Sequence, residues 1–231
     1  MLVRPIASGS TGNAYLVTDG RTTLLLDAGV SVKILQAATG YKLSSISACA
    51  ITHRHGDHSK AAADLAKRGI DIYAPEDTIA ACGLAENHRS HVMQPQDEIL
   101  IGTIALKAFD VKHDVPCHGY MLTSGGERLV YITDAQYCKY RFPHVTHWIL
   151  ETNFSEEQVR ENVSAGIITQ EYKNRIWQAH MSFEQAEQLL KANDLTHTKQ
   201  IYLAHMSEKN AREDEFVERV QELTGAEVYV C

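Results

Sequence analysis

Four side chains able to bind a metal ion fall within six residues in Thr52-His53-Arg54-His55-Gly56-Asp57-His58. The apolar run Ile46 to Thr52 before them, with Ala48, Ala50 and Ile51, predicts a buried strand. Ser59 to Arg68, ended by Gly69, predicts a short helix. The motif therefore occupies a strand-to-helix loop. Along an extended backbone His53, His55 and Asp57 project to one side and His58 elsewhere. A bend after His55 then sends two imidazoles to one ion and Asp57 with His58 to another. Imidazole and carboxylate suit zinc, manganese or iron, and an open position on such an ion brings the pKa of bound water toward neutrality. The competing reading is a histidine-rich surface loop, in a chain with 12 His among 231 residues.

This length suits one large α/β domain with a full core, spanning residues 1–231. The hydrophobic fraction of 44% is ordinary for a globular chain, and no apolar run is long enough to span a bilayer. Met1 to Ser10 lacks the apolar core of a signal peptide, so a cytoplasmic protein is expected. The five Cys are odd in number and show no CxxC spacing, which argues for free thiols over a disulfide framework or a cysteine zinc site. A formal net charge of −7 opposes strong sequence-independent grip on duplex DNA. It does not exclude a phosphodiester substrate, because two divalent ions add four local positive charges.

Leu2 to Ala7, Asn13 to Thr18 and Thr22 to Asp27 read as an antiparallel meander, with Asp27 at the end of a buried strand. The intervening Ser8-Gly9-Ser10-Thr11-Gly12 is either a hairpin turn or a phosphate cradle. The turn is the better reading, because the lysine and helix of a P-loop are missing. A helix is expected over Ser31 to Ala38, a strand over Ile70 to Tyr73, a helix over Pro75 to Cys82 and a hairpin around Gly102. His88 and His91 stand in a polar stretch outside any strand-end pattern and read as exposed. Several chemically apt residues follow predicted strands: Asp134 after Leu129 to Thr133, Glu151 at the end of His147 to Glu151, and His205 after Gln200 to Ala204. A helix over Ser155 to Val163 follows Glu151, and Ser182 with Gln185 form a capping box that starts a helix just past His180. A helix from about Glu208 to Leu223 and a strand over Glu227 to Val230 close the chain.

His53-x-His55-x-Asp57-His58 after a hydrophobic strand resembles the signature of the metallo-β-lactamase-fold hydrolases. That resemblance implies a four-layer αββα sandwich. Further motifs are Ser8-Gly9-Ser10-x-Gly12-Asn13, His113-x-x-Pro116-x-x-Gly119-Tyr120, Glu151-Thr152-Asn153, His180-x-Ser182-x-x-Gln185-Ala186 and Leu203-Ala204-His205-Met206-Ser207-x-x-Asn210. The His113 motif resembles the third metal motif of the nuclease-like branch of the superfamily, and the other four together are similar to the YycJ/WalJ branch of the fold, which is associated with DNA exonuclease activity. Ribonuclease Z and the cyclic phosphodiesterases of phosphonate metabolism share parts of the pattern. The turn Thr123 to Arg128 leaves no place for the tRNA-gripping arm of ribonuclease Z, and Asp134 to His205 none for the inserted domain of the β-CASP enzymes. Two departures are Ala211, where the branch often has a second Asn, and Met206, where Leu is more usual.

Carried over residue by residue, the resemblance implies one ion on His53, His55 and His113 and a second on Asp57, His58 and His205. Asp134 would bridge them, since one imidazole nitrogen cannot serve two ions. Asp27 is either a helix cap or an acceptor that orients the metal loop, and the family favours the second role. His118 has no family counterpart and is equally well read as a plain loop histidine. The implied reaction is two-metal hydrolysis of a phosphodiester, with zinc or manganese ions, on DNA or a short oligonucleotide. Asp57 takes part at the ions, and His180, oriented by Glu151, acts on the leaving oxygen. A cyclic phosphodiesterase is the alternative on the same chemistry. A thiolester or lactone hydrolase is another, and a non-catalytic metal-binding protein a third, marked by a missing ligand that this chain does not lack. Lys139, Arg141, Lys173, Arg175 and Lys209 are either phosphate contacts or ordinary solvated charges. Tyr137, Tyr140 and Trp177 are candidates to stack on bases, or simply core and rim aromatics.

Overall fold

Apolar runs bounded by turn residues become strands throughout the computed structural model, which describes residues 1–231. Thirteen strands and eight helices are arranged with the strands in two sheets, the mixed α/β class expected. The chain divides into two units, Met1–Asp110 with Val115–Gly126, and Val111–Asp114 with Glu127–Cys231. No helix is long and apolar enough to cross a membrane.

In the first unit, β1 (Leu2–Ala7), β2 (Ala14–Thr18) and β3 (Thr23–Leu26) form the expected antiparallel meander. Three short strands then add in parallel, β4 (Ala48–Ala50), β5 (Asp71–Ala74) and β6 (Ser90–Val92), to complete a six-stranded sheet in sequence order. The helices α1 (Val32–Ala38), α2 (Gly56–Ser59), α3 (Ala62–Lys67) and α4 (Glu76–Ala81) lie between these strands in sequence. Leu25, Leu35, Ile51, Leu65 and Ile72 are fully buried in one cluster that joins α1 and α3 to the sheet. The hairpin around Gly102 joins β7 (Glu98–Ile101) to β8 (Ile104–Val111), and β9 (Cys117–Ser124) lies beside β8.

The helix expected from Ser59 to Arg68 begins earlier and in two pieces. His55 is the N-cap of α2, so Asp57 and His58 lie on its single turn and not in an extended loop. Ser59 Oγ donates to the carbonyls of Arg54 and His55, both at 3.0 Å, which tightens that turn. The Ala61 amide leaves the helical ladder for the carbonyl of Ala28 at 2.8 Å, and α3 starts afresh.

The second unit has four parallel strands, β10 (Glu127–Ile132), β11 (His147–Glu151), β12 (Gln200–Ala204) and β13 (Glu227–Val230), in the order β13-β12-β11-β10. Its helices are α5 (Glu156–Ser164), α6 (Gln170–Ala179), α7 (Phe183–Lys191) and α8 (Glu213–Thr224). Every residue of β11 is buried, as a parallel strand covered on both faces requires. The capping box at Ser182 and Gln185 forms as expected. The final helix starts later than expected, because Ser207 to Arg212 is a loop. Asn210 holds it there, its carbonyl accepting from the Ser155 amide at 2.8 Å and its Oδ1 from Asn162 at 2.9 Å.

The register of the parallel strands carries the functional consequence. Glu151 pairs with Ala204, and Ile132 with Leu150, so the carboxyl ends of β10, β11 and β12 lie side by side. Asp134, Glu151 and His205 thereby meet at one edge, the place where parallel α/β sheets bind ligands. Asp27, Asp134 and His205 turn off their strands with φ of 57°, 47° and 55°. These left-handed values are uncommon outside glycine, and Asp, Asn and His tolerate them best.

Candidate active site

In the first unit the end of β4 and the turn of α2 gather four predicted ligands. His53 Nε2 lies 3.0 Å from His55 Nδ1, and the ring centroids of His53 and His58 are 4.2 Å apart. His58 Nε2 is 3.5 Å from Asp57 Oδ2. Asp27, fully buried, accepts from His58 Nδ1 at 2.7 Å and from the Thr52 amide at 2.8 Å. Its hydrogen bonds go to this loop, and α1 takes Ser31 at its N-cap position. Thr52 Oγ1 adds a contact to His53 Nδ1 at 3.0 Å.

The Ser/Gly segment turns out to be a clamp on this loop. Two of its amides and that of the following Asn13 are engaged: Gly9 donates to Asn13 Oδ1 at 2.9 Å, Gly12 to the Gly9 carbonyl at 3.0 Å, and Asn13 to the Asp57 carbonyl at 2.8 Å. Gly29 is pressed so close that a Cβ there would meet the Asp57 carbonyl oxygen at 1.6 Å. The phosphate-cradle alternative therefore has no donors to offer from these three positions. The sequence marked Asn13 as part of a motif but not as the residue joining two loops.

In the second unit His113 donates from Nδ1 to the Ala179 carbonyl at 3.0 Å. Its Nε2 lies 2.9 Å from Asp114 Oδ1 and 4.0 Å from Asp134 Oδ2. The other oxygen of Asp134 lies 3.3 Å from His205 Nε2. One buried carboxylate thus spans two imidazoles. Asn153 meets His205 Nδ1 at 3.0 Å and donates to the His205 carbonyl at 2.7 Å. Asp134, Glu151, His180 and His205 offer ligand atoms within 4.8 Å of one another.

His180 stands at the C-cap of α6, its ring stacked on that of His205 at 5.1 Å. Its Nδ1 donates to Glu151 Oε1 at 2.7 Å, while Glu151 Oε2 accepts from the amides of Ala135 at 2.9 Å and Met181 at 3.3 Å. Glu151 is fully buried, so a carboxylate there requires these donors. Asp114 and Asn153 are contacts that sequence reasoning did not assign. Asn153 was visible only as part of Glu151-Thr152-Asn153.

The donor set fits divalent metal ions. His58 and His113 each have Nδ1 held by a protein oxygen, the outer contact that commonly turns Nε2 of a histidine toward a metal ion. Two imidazole nitrogens 3.0 Å apart in the first unit are near the roughly 3.3 Å expected of neighbouring donors on a tetrahedral zinc. His118 lies outside these groups. It is buried in β9, its amide donating to the Thr52 carbonyl at 2.9 Å, so it is neither a ligand of these clusters nor in a loop. Burial lowers its pKa to about 4, against partial opposition from Asp110 and Asp97. His88 is exposed as expected. His91 is instead half-buried in β6, with Nε2 3.1 Å from Asp71 Oδ1.

The family described as the beta-lactamase superfamily domain matches residues 22–206. This chain belongs to that superfamily. The superfamily resemblance drawn from the metal motif holds, and the branch resemblance has named counterparts. The chain is 29% identical over 241 residues to exodeoxyribonuclease WalJ of Streptococcus pneumoniae, covering 97% of this chain and 89% of that protein. It is 32% identical over 222 residues to exodeoxyribonuclease YycJ of Bacillus anthracis, covering 89% and 82%. Among solved structures, the metallo-β-lactamase fold protein YhfI from Bacillus subtilis superposes with a TM-score of 0.76 at 20% identity, over 99% of this chain and 95% of that one. The superfamily member described here is a metal-dependent hydrolase.

Proposed function

We propose that residues 1–231 act as one hydrolase domain, a dinuclear phosphodiesterase that degrades DNA from an end in the cytoplasm. The observation that carries this reading is the Glu151–His180 pair, 2.7 Å apart beside Asp134. We assign His53, His55 and His113 to one zinc or manganese ion, and Asp57, His58 and His205 to the other, with Asp134 shared. When bound, the two ions supply an activated water and positive charge for the phosphoryl oxygens.

The chain's own residues do the rest. Glu151 keeps a proton on Nδ1 of His180 and stabilises the imidazolium, as a buried carboxylate does when it partners a catalytic histidine. The imidazolium gives its Nε2 proton to the leaving oxygen, so the departing strand does not leave as an unstabilised alkoxide. Asp27, through His58, and Ala179, through His113, fix the ring orientations that the donors need. The relatives named as exodeoxyribonucleases support DNA as the polymer.

The test is hydrolysis of bis(p-nitrophenyl) phosphate and of 5′-phosphorylated single- and double-stranded DNA, with metal content quantified, in wild type and His180→Ala. Cleavage by wild type, with two metals retained but activity lost in the variant, supports both the reaction and the role of His180. A metal-loaded protein that ignores diesters and cleaves a thiolester or lactone sinks the substrate assignment.

A further inference from the structure

The second unit carries a cavity of about 420 Å³ lined by Gln136, Arg160, Lys173, Asn174, Trp177 and Gln178. Two cations, three amides and an indole line it, with no carboxylate, on a chain whose net charge is −7. Lys173 and Trp177 are one helical turn apart on α6, as are Asn174 and Gln178, so one face of this helix forms a wall. The same helix ends at His180, and Gln136 follows Asp134 by two residues. The lining residues Gln136, Trp177 and Gln178 are thus within three residues of Asp134 or His180 in the chain.

Trp177 is held for use as a platform. Its ring lies 4.8 Å from that of buried Phe154, at 53°, and packs on the small cluster of Phe154, Val159 and Ile176. Lys173 Nζ stands over the indole ring, 5.0 Å from its centroid, a cation that an incoming base would displace from the ring toward its own phosphate. Arg160 pairs with Glu156 at 2.7 Å, but its side chain is 60% exposed. Such a surface pair is weak and gives way to a phosphate that accepts two parallel hydrogen bonds.

We propose that this cavity binds an unpaired nucleotide of the DNA strand adjacent to the one being cleaved. Its base stacks on Trp177 and its phosphate meets Lys173 and Arg160. The inference rests on the phosphodiesterase reading and adds to it a single-stranded end as the substrate. A base inside a duplex has no open face for the indole and a terminal pair has only one, held in its pair, whereas an unpaired base can turn a face to the ring. Side-chain amides offer both donors and acceptors, so Gln136, Asn174 and Gln178 accommodate all four bases. Recognition here is therefore tolerant of sequence and selective for strandedness.

The chain has two Trp, and Trp148 is fully buried, so quenching of indole fluorescence reports on Trp177. The full chain, held in chelator to prevent turnover, is titrated with 5′-phosphorylated oligothymidylates of increasing length and with a blunt duplex. The expected result is quenching by the single strands and weak response to the duplex, with Lys173→Glu raising the Kd about tenfold. In metal-loaded enzyme Trp177→Ala raises KM for single-stranded DNA about tenfold with kcat little changed, and Trp177→Phe restores it. If wild type degrades DNA but Lys173→Glu and Trp177→Ala leave KM within twofold and no quenching occurs, the proposal is overturned and the phosphodiesterase reading stands. If wild type cleaves no phosphodiester at all, that reading falls and takes this one with it.

Discussion

Glu151 Oε1 lies 2.7 Å from Nδ1 of His180, although 29 residues separate them in the chain. Strand register explains half of this meeting, by placing Glu151 at the carboxyl end of β11 beside β12. The rest follows from α6, whose C-cap residue is His180 itself.

Glu151→Gln keeps the shape of this contact but removes its charge, and presents an amide where Nδ1 needs an acceptor. The expected loss in kcat is about 10²–10⁴-fold, the usual worth of a positioned general acid. Circular dichroism and metal content are expected to match wild type. Activity within twofold of wild type would remove His180 from the proton-transfer step.

Asp27→Asn tests how the loop is oriented. Asn tolerates the φ of 57° at this position, so the backbone is kept while the acceptor on His58 Nδ1 loses its charge. Metal affinity is expected to fall by about 10–100-fold. Competition with a chelator of known affinity measures it, and unchanged affinity would make Asp27 a purely structural residue.

Gly29→Ala places a Cβ 1.6 Å from the Asp57 carbonyl oxygen and 2.7 Å from the Asn13 amide nitrogen. Both neighbours are backbone and neither can swing away. The expected destabilisation is at least the roughly 1–3 kcal/mol of an overpacked core, read by urea denaturation. A smaller change would show that the clamp loop is pliable.

His118 gives a pH signature to stability. Its pKa falls from 6.5 to about 4 because burial disfavours the charged ring, so the folded chain binds fewer protons than the unfolded chain between these values. This stability is full above pH 6.5 and is lost as pH falls toward 4. At pH 5 the loss is about 2 kcal/mol. Urea midpoints at pH 5 and pH 7 are expected to differ less in His118→Gln than in wild type, and equal differences would refute the assignment.

The candidate ligands were legible in the sequence because metal binding restricts residue type and spacing together, as in His53 to His58. Strand ends carrying Asp134, Glu151 and His205 were legible because parallel strands read as apolar runs. Helix α6 was not anticipated. Its sequence is polar around most of its circumference, with Ile176 its one buried residue, and Thr169 at its N-cap was the available signal. Strand β6 escaped notice because Ser90, His91 and Val92 become a strand by pairing with β5 and not by propensity. The cavity beside Trp177 was beyond reach for a different reason. Gln136 and Arg160 come to α6 from other segments of the chain, and only the fold brings them there.

The left-handed backbone at Asp27, Asp134 and His205 limits what selection can do with this site. Aspartate, asparagine, histidine and glycine are the residues that settle readily there, and of these Asp and His carry the carboxylate and imidazole that suit zinc or manganese. A library randomised at these three positions would therefore return folded proteins drawn mostly from that small alphabet.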